Sequence, residues 1–120
     1  MTTQLPAIAS AYVRSINEHD ATAFIALFAD DALVNDVGRE FRGLDAIKEW
    51  SGREIFDARV TLEVIDVIEG DGQTVLTTKV DGNFDRTGLP DPVIIDHHIT
   101  NKGGKIIRLT CRLAGTEPKT

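Results

Sequence analysis

The 120-residue chain has only one cysteine, one tryptophan, one tyrosine and one methionine. A lone Cys111 forms no intramolecular disulfide, which excludes a disulfide-built scaffold and makes a reducing cytoplasm the expected location. Long apolar runs are missing too, and none approaches the ~20 residues of a bilayer span. The opening residues MTTQLPAIAS lack the basic start and apolar centre of a secretory signal. Basic charge is short: 13 Lys and Arg stand against 19 Asp and Glu, a net charge of -6, and the arginines are scattered. Nucleic acid and anionic membrane are therefore not expected partners, since both require clustered positive charge. No repeat, low-complexity tract or linker divides the chain. With 42% hydrophobic and 27% charged residues, it reads as one globular domain over residues 1–120.

The apolar pattern changes period partway along. Ile8, Tyr12 and Ile16 recur at helical spacing after Pro6, which predicts a first amphipathic helix to about Glu18. Asp20 is placed to cap a second helix running to about Phe28 with Phe24, Leu27 and Phe28 on its face. Leu33 to Val37 reads as a short strand, turned at Gly38 and Arg39 into Glu40 to Arg42. Leu44, Ile47, Ser51 and Ile55 line a third helix to roughly Phe56. Beyond it the period becomes two. Val60, Leu62 and Val64 alternate, then the phase slips to Ile65 and Val67, the sign of a bulge or of a strand buried on both faces. Gly70 to Gly72 turns into a return strand over Thr74 to Phe84, the DRTGLPDP loop follows, and Val93 to Thr100 and Lys105 to Leu113 are two more strands. The final GTEPKT reads as a solvated tail. Three helices and a short strand pair followed by four longer strands make an α+β domain, with space for a ligand between helices and curved sheet.

Three stretches carry a family likeness: YVRSINEHDATAFIALFADDALVNDVG, the GLDAIKEW helix and VIIDHHITNKGGKIIRLTCRLAG. Together they resemble the nuclear transport factor 2-like, or cystatin-like, cone superfamily, and within it ketosteroid isomerase and the SnoaL-like proteins. The resemblance covers nearly the whole chain. It implies three N-terminal helices packed in the concave face of a curved, mixed, mainly antiparallel sheet with an internal pocket. It also implies an enzyme of the steroid delta-isomerase kind, with no cofactor, a small apolar ligand and a homodimer. Carried onto this sequence, Tyr12 (in YVRSIN) corresponds to the oxyanion-hole tyrosine, Asp36 (in VNDVG) to the general base and Asp96 (in IIDHH) to the protonated aspartic acid. Asp36 would move a proton beside an enone carbonyl, while Tyr12 and a neutral Asp96 donate hydrogen bonds to its oxygen. Trp50, Ile94 and His98 are the expected substrate contacts.

Each of these residues has a plainer structural explanation. Tyr12 lies on the apolar face of a helix and fits a core tyrosine with its hydroxyl at the rim. Asp36 before Val37 and Gly38 fits a turn residue. Asp96 interrupts an apolar strand, where burial raises its cost, although an outward aspartate on a one-sided sheet is ordinary. Strand alternation puts Asp96 and His98 on one face and His97 on the other. An Asp96–His98 pair would serve instead a SnoaL-like cyclase or dehydratase. The remaining reading is a non-catalytic dimeric domain that binds a small ligand. No metal site is expected, because adjacent strand residues point apart and DHH cannot chelate one ion. Cys111 alternates with Leu109 and Leu113 as a core residue, and Arg39, Arg42, Arg53 and Arg59 read as solvated surface.

Overall fold

The computed structural model describes residues 5–85 and 87–114; the expected C-terminal tail lies outside the described residues. Helices α1 (Ala7–Asn17), α2 (Ala21–Ile25) and α3 (Leu44–Ser51) are interleaved with strands β1 (Phe28–Asp36), β2 (Arg39–Arg42), β3 (Thr61–Gly70), β4 (Gln73–Asp81), β5 (Val93–Lys102) and β6 (Lys105–Leu113). The strands form one sheet in the order β2-β1-β6-β5-β4-β3. All neighbours are antiparallel except β1 and β6, which run parallel and make the sheet mixed.

Pro6 precedes α1, and Ala9, Tyr12 and Ile16 form its buried stripe, as their spacing requires. Asp20 caps α2 by accepting a hydrogen bond from the Ala23 amide at 3.1 Å. That helix is shorter than its apolar spacing suggests. The Ile106 amide donates to the Leu27 carbonyl at 2.8 Å, drawing the chain into the sheet from Phe28 onward. Phe24, fully buried, packs its ring 5.7 Å from Tyr12, 5.1 Å from Phe28 and 5.5 Å from Phe56. These tilted and edge-on contacts each contribute about 0.5–1.5 kcal/mol beyond area burial. They fix α2 against the base of α1 and hold Tyr12 in place.

The phase slip in β3 is a bulge: the register with β4 shifts between Val64 and Asp66. The third helical segment reaches Phe56, but its last part, Gly52–Phe56, widens into a π-helical turn. On the concave face β4 contributes Leu76, Thr78 and Val80, β5 Val93, Ile95, His97 and Ile99, and β6 Leu109 and Cys111. The helices cover this face, and the core lies between the two layers.

Candidate functional site

One end of that core is hollow. A cavity of about 270 Å³ is bordered by Tyr12 and Ile16 of α1, Asp36 of β1, Trp50, Glu54 and Ile55 around the π-helical turn, and side chains of β4, β5 and β6. The volume falls near the lower end of the ~300–1,000 Å³ common for ligand pockets. A second concavity of about 410 Å³ lies between the start of α1 and the β3–β4 turn; Ile8, Glu69, Gln73 and Asn101 border it, and none of the expected site residues does.

Asp36 reaches the cavity because alternation along β1 places Ala32, Val34 and Asp36 on the concave face. It also opens a tight hairpin in which Asp36 pairs with Arg39 across Val37 and Gly38. Both turn residues have positive φ, 51° at Val37 and 89° at Gly38, as a two-residue hairpin of this hand requires. Glycine accommodates this without strain. At Val37, a β-branched residue, it is a strained conformation beside the site. The turn brings Arg39 Nη2 to 2.6 Å from Asp36 Oδ2, and Trp50 Nε1 donates to the same oxygen at 3.1 Å. Arg39 also makes a two-pronged contact to Glu54, at 2.8 Å and 2.6 Å. The Arg39 bond lowers the Glu54 carboxyl below its ordinary range, and the same bond raises the guanidinium further into its protonated range.

Tyr12, fully buried against the sheet, puts its hydroxyl 2.8 Å from His97 Nδ1. His97 Nε2 lies 2.9 Å from Thr78 Oγ1, and Cys111 Sγ lies 3.8 Å from Nδ1. Burial pushes the His97 imidazole down to about 4, and it is neutral at pH 7. Burial also raises the Tyr12 hydroxyl, with further contributions from Cys111 and the Asp36 charge, and raises the Cys111 thiol. The cluster is thus a set of neutral hydrogen-bonding groups beside a carboxylate.

Tyr12, Asp36 and Trp50 therefore border one cavity, whereas Asp96, Ile94 and His98 do not. Asp96 occupies the opposite face, where Thr77 Oγ1 donates to it at 2.7 Å, and Ile94 and His98 share that face by alternation. The expected meeting of Asp96 with Tyr12 and Asp36 is corrected accordingly, and His97 lies next to Tyr12 instead. The signal was in the strand itself. The set Val93, Ile95, His97, Ile99 is more apolar than Ile94, Asp96, His98, Thr100, so the sheet buries the set containing His97. Arg39, half exposed, bridges two carboxylates, a role its sequence surroundings do not announce beyond the hairpin spacing. Glu54 had no sequence signal, since its link to Arg39 spans two elements.

A depressed imidazole makes stability depend on pH. The unfolded chain protonates His97 near the ordinary value of 6.5, the folded chain only near 4, so the unfolded state takes up more protons as pH falls. The contribution is complete above 6.5, lost progressively between 6.5 and 4, and absent below, about 3 kcal/mol in all. Urea unfolding across that window should show wild type losing this much more than His97→Gln, which does not titrate. Equal losses would refute the assignment.

The SnoaL-like domain model matches residues 9–109. No curated protein matches the sequence. Among solved structures, a candidate polyketide cyclase from Sinorhizobium meliloti is 29% identical, with a TM-score of 0.80 over 90% of this chain and 95% of that one. A Catenulispora acidiphila protein with a ketosteroid isomerase-like fold is 20% identical, with a TM-score of 0.76 over 93% and 88% of the two chains. A Mycobacterium tuberculosis protein in complex with estradiol-17beta-hemisuccinate is 18% identical, with a TM-score of 0.77 over 90% and 92%. The latter two are likenesses of fold. By the match over residues 9–109, the chain belongs to the SnoaL-like domain family, within the nuclear transport factor 2-like superfamily.

Proposed function

We propose that this protein is an enzyme of the ketosteroid isomerase kind, which moves a proton on the carbon skeleton beside the carbonyl of a compact, apolar cyclic ketone. The observation that carries the reading is that the Asp36 carboxylate and the Tyr12 hydroxyl border the same mainly apolar cavity. Asp36 takes a proton from the carbon between carbonyl and alkene, and the C–H electron pair passes into a dienolate. The same carboxyl then returns the proton further along, conjugating the double bond. Tyr12 donates a hydrogen bond to the oxygen as negative charge gathers there. Arg39 and Trp50 hold Asp36 at the cavity wall through Oδ2. That the M. tuberculosis protein of the same fold binds a steroid ester supports a ring-system ligand.

The likeness to a candidate polyketide cyclase supports a second reading, in which the same base forms an enolate that attacks a carbonyl within its own molecule. An Asp96–His98 pair has no place in either, since both residues lie on the face away from the cavity. That outer face is where this reading has two copies meet. The test is deuterium exchange beside the carbonyl, followed by NMR in D₂O, with conjugation of β,γ-unsaturated cyclic ketones followed by ultraviolet absorbance. Asp96→Asn and His98→Phe are expected to keep rates within about twofold of wild type. Rates no faster than buffer across one-ring to steroid-sized ketones would end the proposal, and a large loss in Asp96→Asn would move the site elsewhere.

A further inference from the structure

Behind Tyr12, the polar groups form a line whose direction can be worked out. Thr78 and His97 are buried, at 0% and 5% exposure, on neighbouring strands of the concave face. Thr78 Oγ1 is 2.9 Å from His97 Nε2, and His97 Nδ1 is 2.8 Å from Tyr12 Oη. A neutral imidazole has one N–H, so the two bonds share a direction. Suppose Tyr12 donates to Nδ1. The ring then donates from Nε2 to Thr78, and the threonine's own proton must go elsewhere. Its other neighbour is the Ile95 carbonyl oxygen at 3.4 Å, beyond the ~2.5–3.0 Å of a good O–H···O bond. In the reverse direction, Thr78 donates to Nε2 and Nδ1–H donates to Tyr12 Oη. The Thr78 and His97 protons then both lie on short bonds, and the Tyr12 proton faces the cavity, where there is room for a water or a ligand oxygen to accept it. A poorly placed buried hydroxyl proton is costly, and only the Tyr12 end of the line borders a cavity with room for a further acceptor, so the second direction is favoured. Cys111 Sγ, 3.8 Å from Nδ1, is too distant and too weak an acceptor to compete with Tyr12.

We infer that Thr78 fixes His97 as its Nδ1–H tautomer and thereby turns the Tyr12 hydroxyl outward, ready to donate to a carbonyl or enolate oxygen in the cavity. Thr78 is a positioning residue: it acts through His97 and borders no part of the cavity. The tautomer stands on the geometry alone, while its kinetic consequence rests on the proposed function, and the experiment separates the two.

Long-range ¹H–¹⁵N correlation spectra of the free full-length protein at pH 7 should show His97 protonated at Nδ1 and bare at Nε2. The Nε2–H tautomer would overturn the inference whether or not the protein turns over a ketone. In the exchange assay, Thr78→Val should lower kcat about tenfold with KM nearly unchanged, and Thr78→Ser, which keeps the hydroxyl, should restore most of the rate. Equal rates in the two variants, or Thr78→Ser as slow as a folded Thr78→Val, would refute the positioning role. The expected tautomer in a protein with no exchange activity would uphold the hydrogen-bond direction and remove the proposed reaction.

Discussion

Replacing Asp36 with asparagine should lower the rate of proton exchange beside the carbonyl by about 10²–10⁴-fold, the usual contribution of a positioned general base, and leave the fold in place. The amide has the shape of the carboxylate and can still accept the Trp50 Nε1–H bond, but its oxygen is too weakly basic to take a proton from carbon. Arg39 loses one ionic partner and keeps its two-pronged contact to Glu54, so the hairpin that carries residue 36 stays closed. The Asp36–Arg39 pair has a half-exposed guanidinium, and water screening limits its contribution to stability to about 1 kcal/mol or less. The loss should therefore appear in kcat, with KM and the melting temperature nearly unchanged. Exchange rates and thermal unfolding of the two proteins check this. A folded Asp36→Asn protein that keeps more than about a tenth of the wild-type rate would rule out Asp36 as the base.

The architecture was legible because it follows from periodicity. Ile8, Tyr12 and Ile16 at helical spacing, the Asp20 cap and the phase slip at Ile65 each correspond to a local rule that the folded chain obeys. The cavity was legible in part for the same reason, since alternation along β1 puts Asp36 on the face where Val34 is buried. In β5 the local rule competed with a chemical expectation. Carrying Asp96 over from a family pattern set it inside, although Val93, Ile95 and Ile99 already marked the other parity as the buried one. A one-residue difference in strand position exchanges every side chain between faces, so a motif matched by residue type alone can land on the wrong side of the sheet. The Arg39–Glu54 contact was not legible at all. It depends on the π-helical turn at Gly52–Phe56 and on a hairpin from another part of the chain, and neither writes a periodic signal into the sequence.

Removing the Tyr12 hydroxyl should have two effects that Asp36→Asn does not combine. In Tyr12→Phe the ring still fills its place against Phe24, but the oxygen in the cavity loses its donor, which for an oxyanion-stabilising group lowers kcat by about 10²–10³-fold. His97 Nδ1 also loses its 2.8 Å partner in a buried setting, and leaving such a group unpaired costs about 1–3 kcal/mol of stability. Asp36→Asn should therefore give a slow enzyme of nearly normal stability, and Tyr12→Phe a slow enzyme that unfolds at lower urea. The triple variant Tyr12→Phe/His97→Leu/Thr78→Val separates the two effects. It removes the imidazole along with both of its hydrogen-bond partners, so stability should recover in part while turnover stays low, because the donor is still missing. Recovery of turnover in the triple variant would mean that His97, and not the loss of the Tyr12 hydroxyl, limits the single one. A Tyr12→Phe protein as stable and as fast as wild type would place neither the oxygen of the substrate nor the proton of Tyr12 where the cavity geometry puts them.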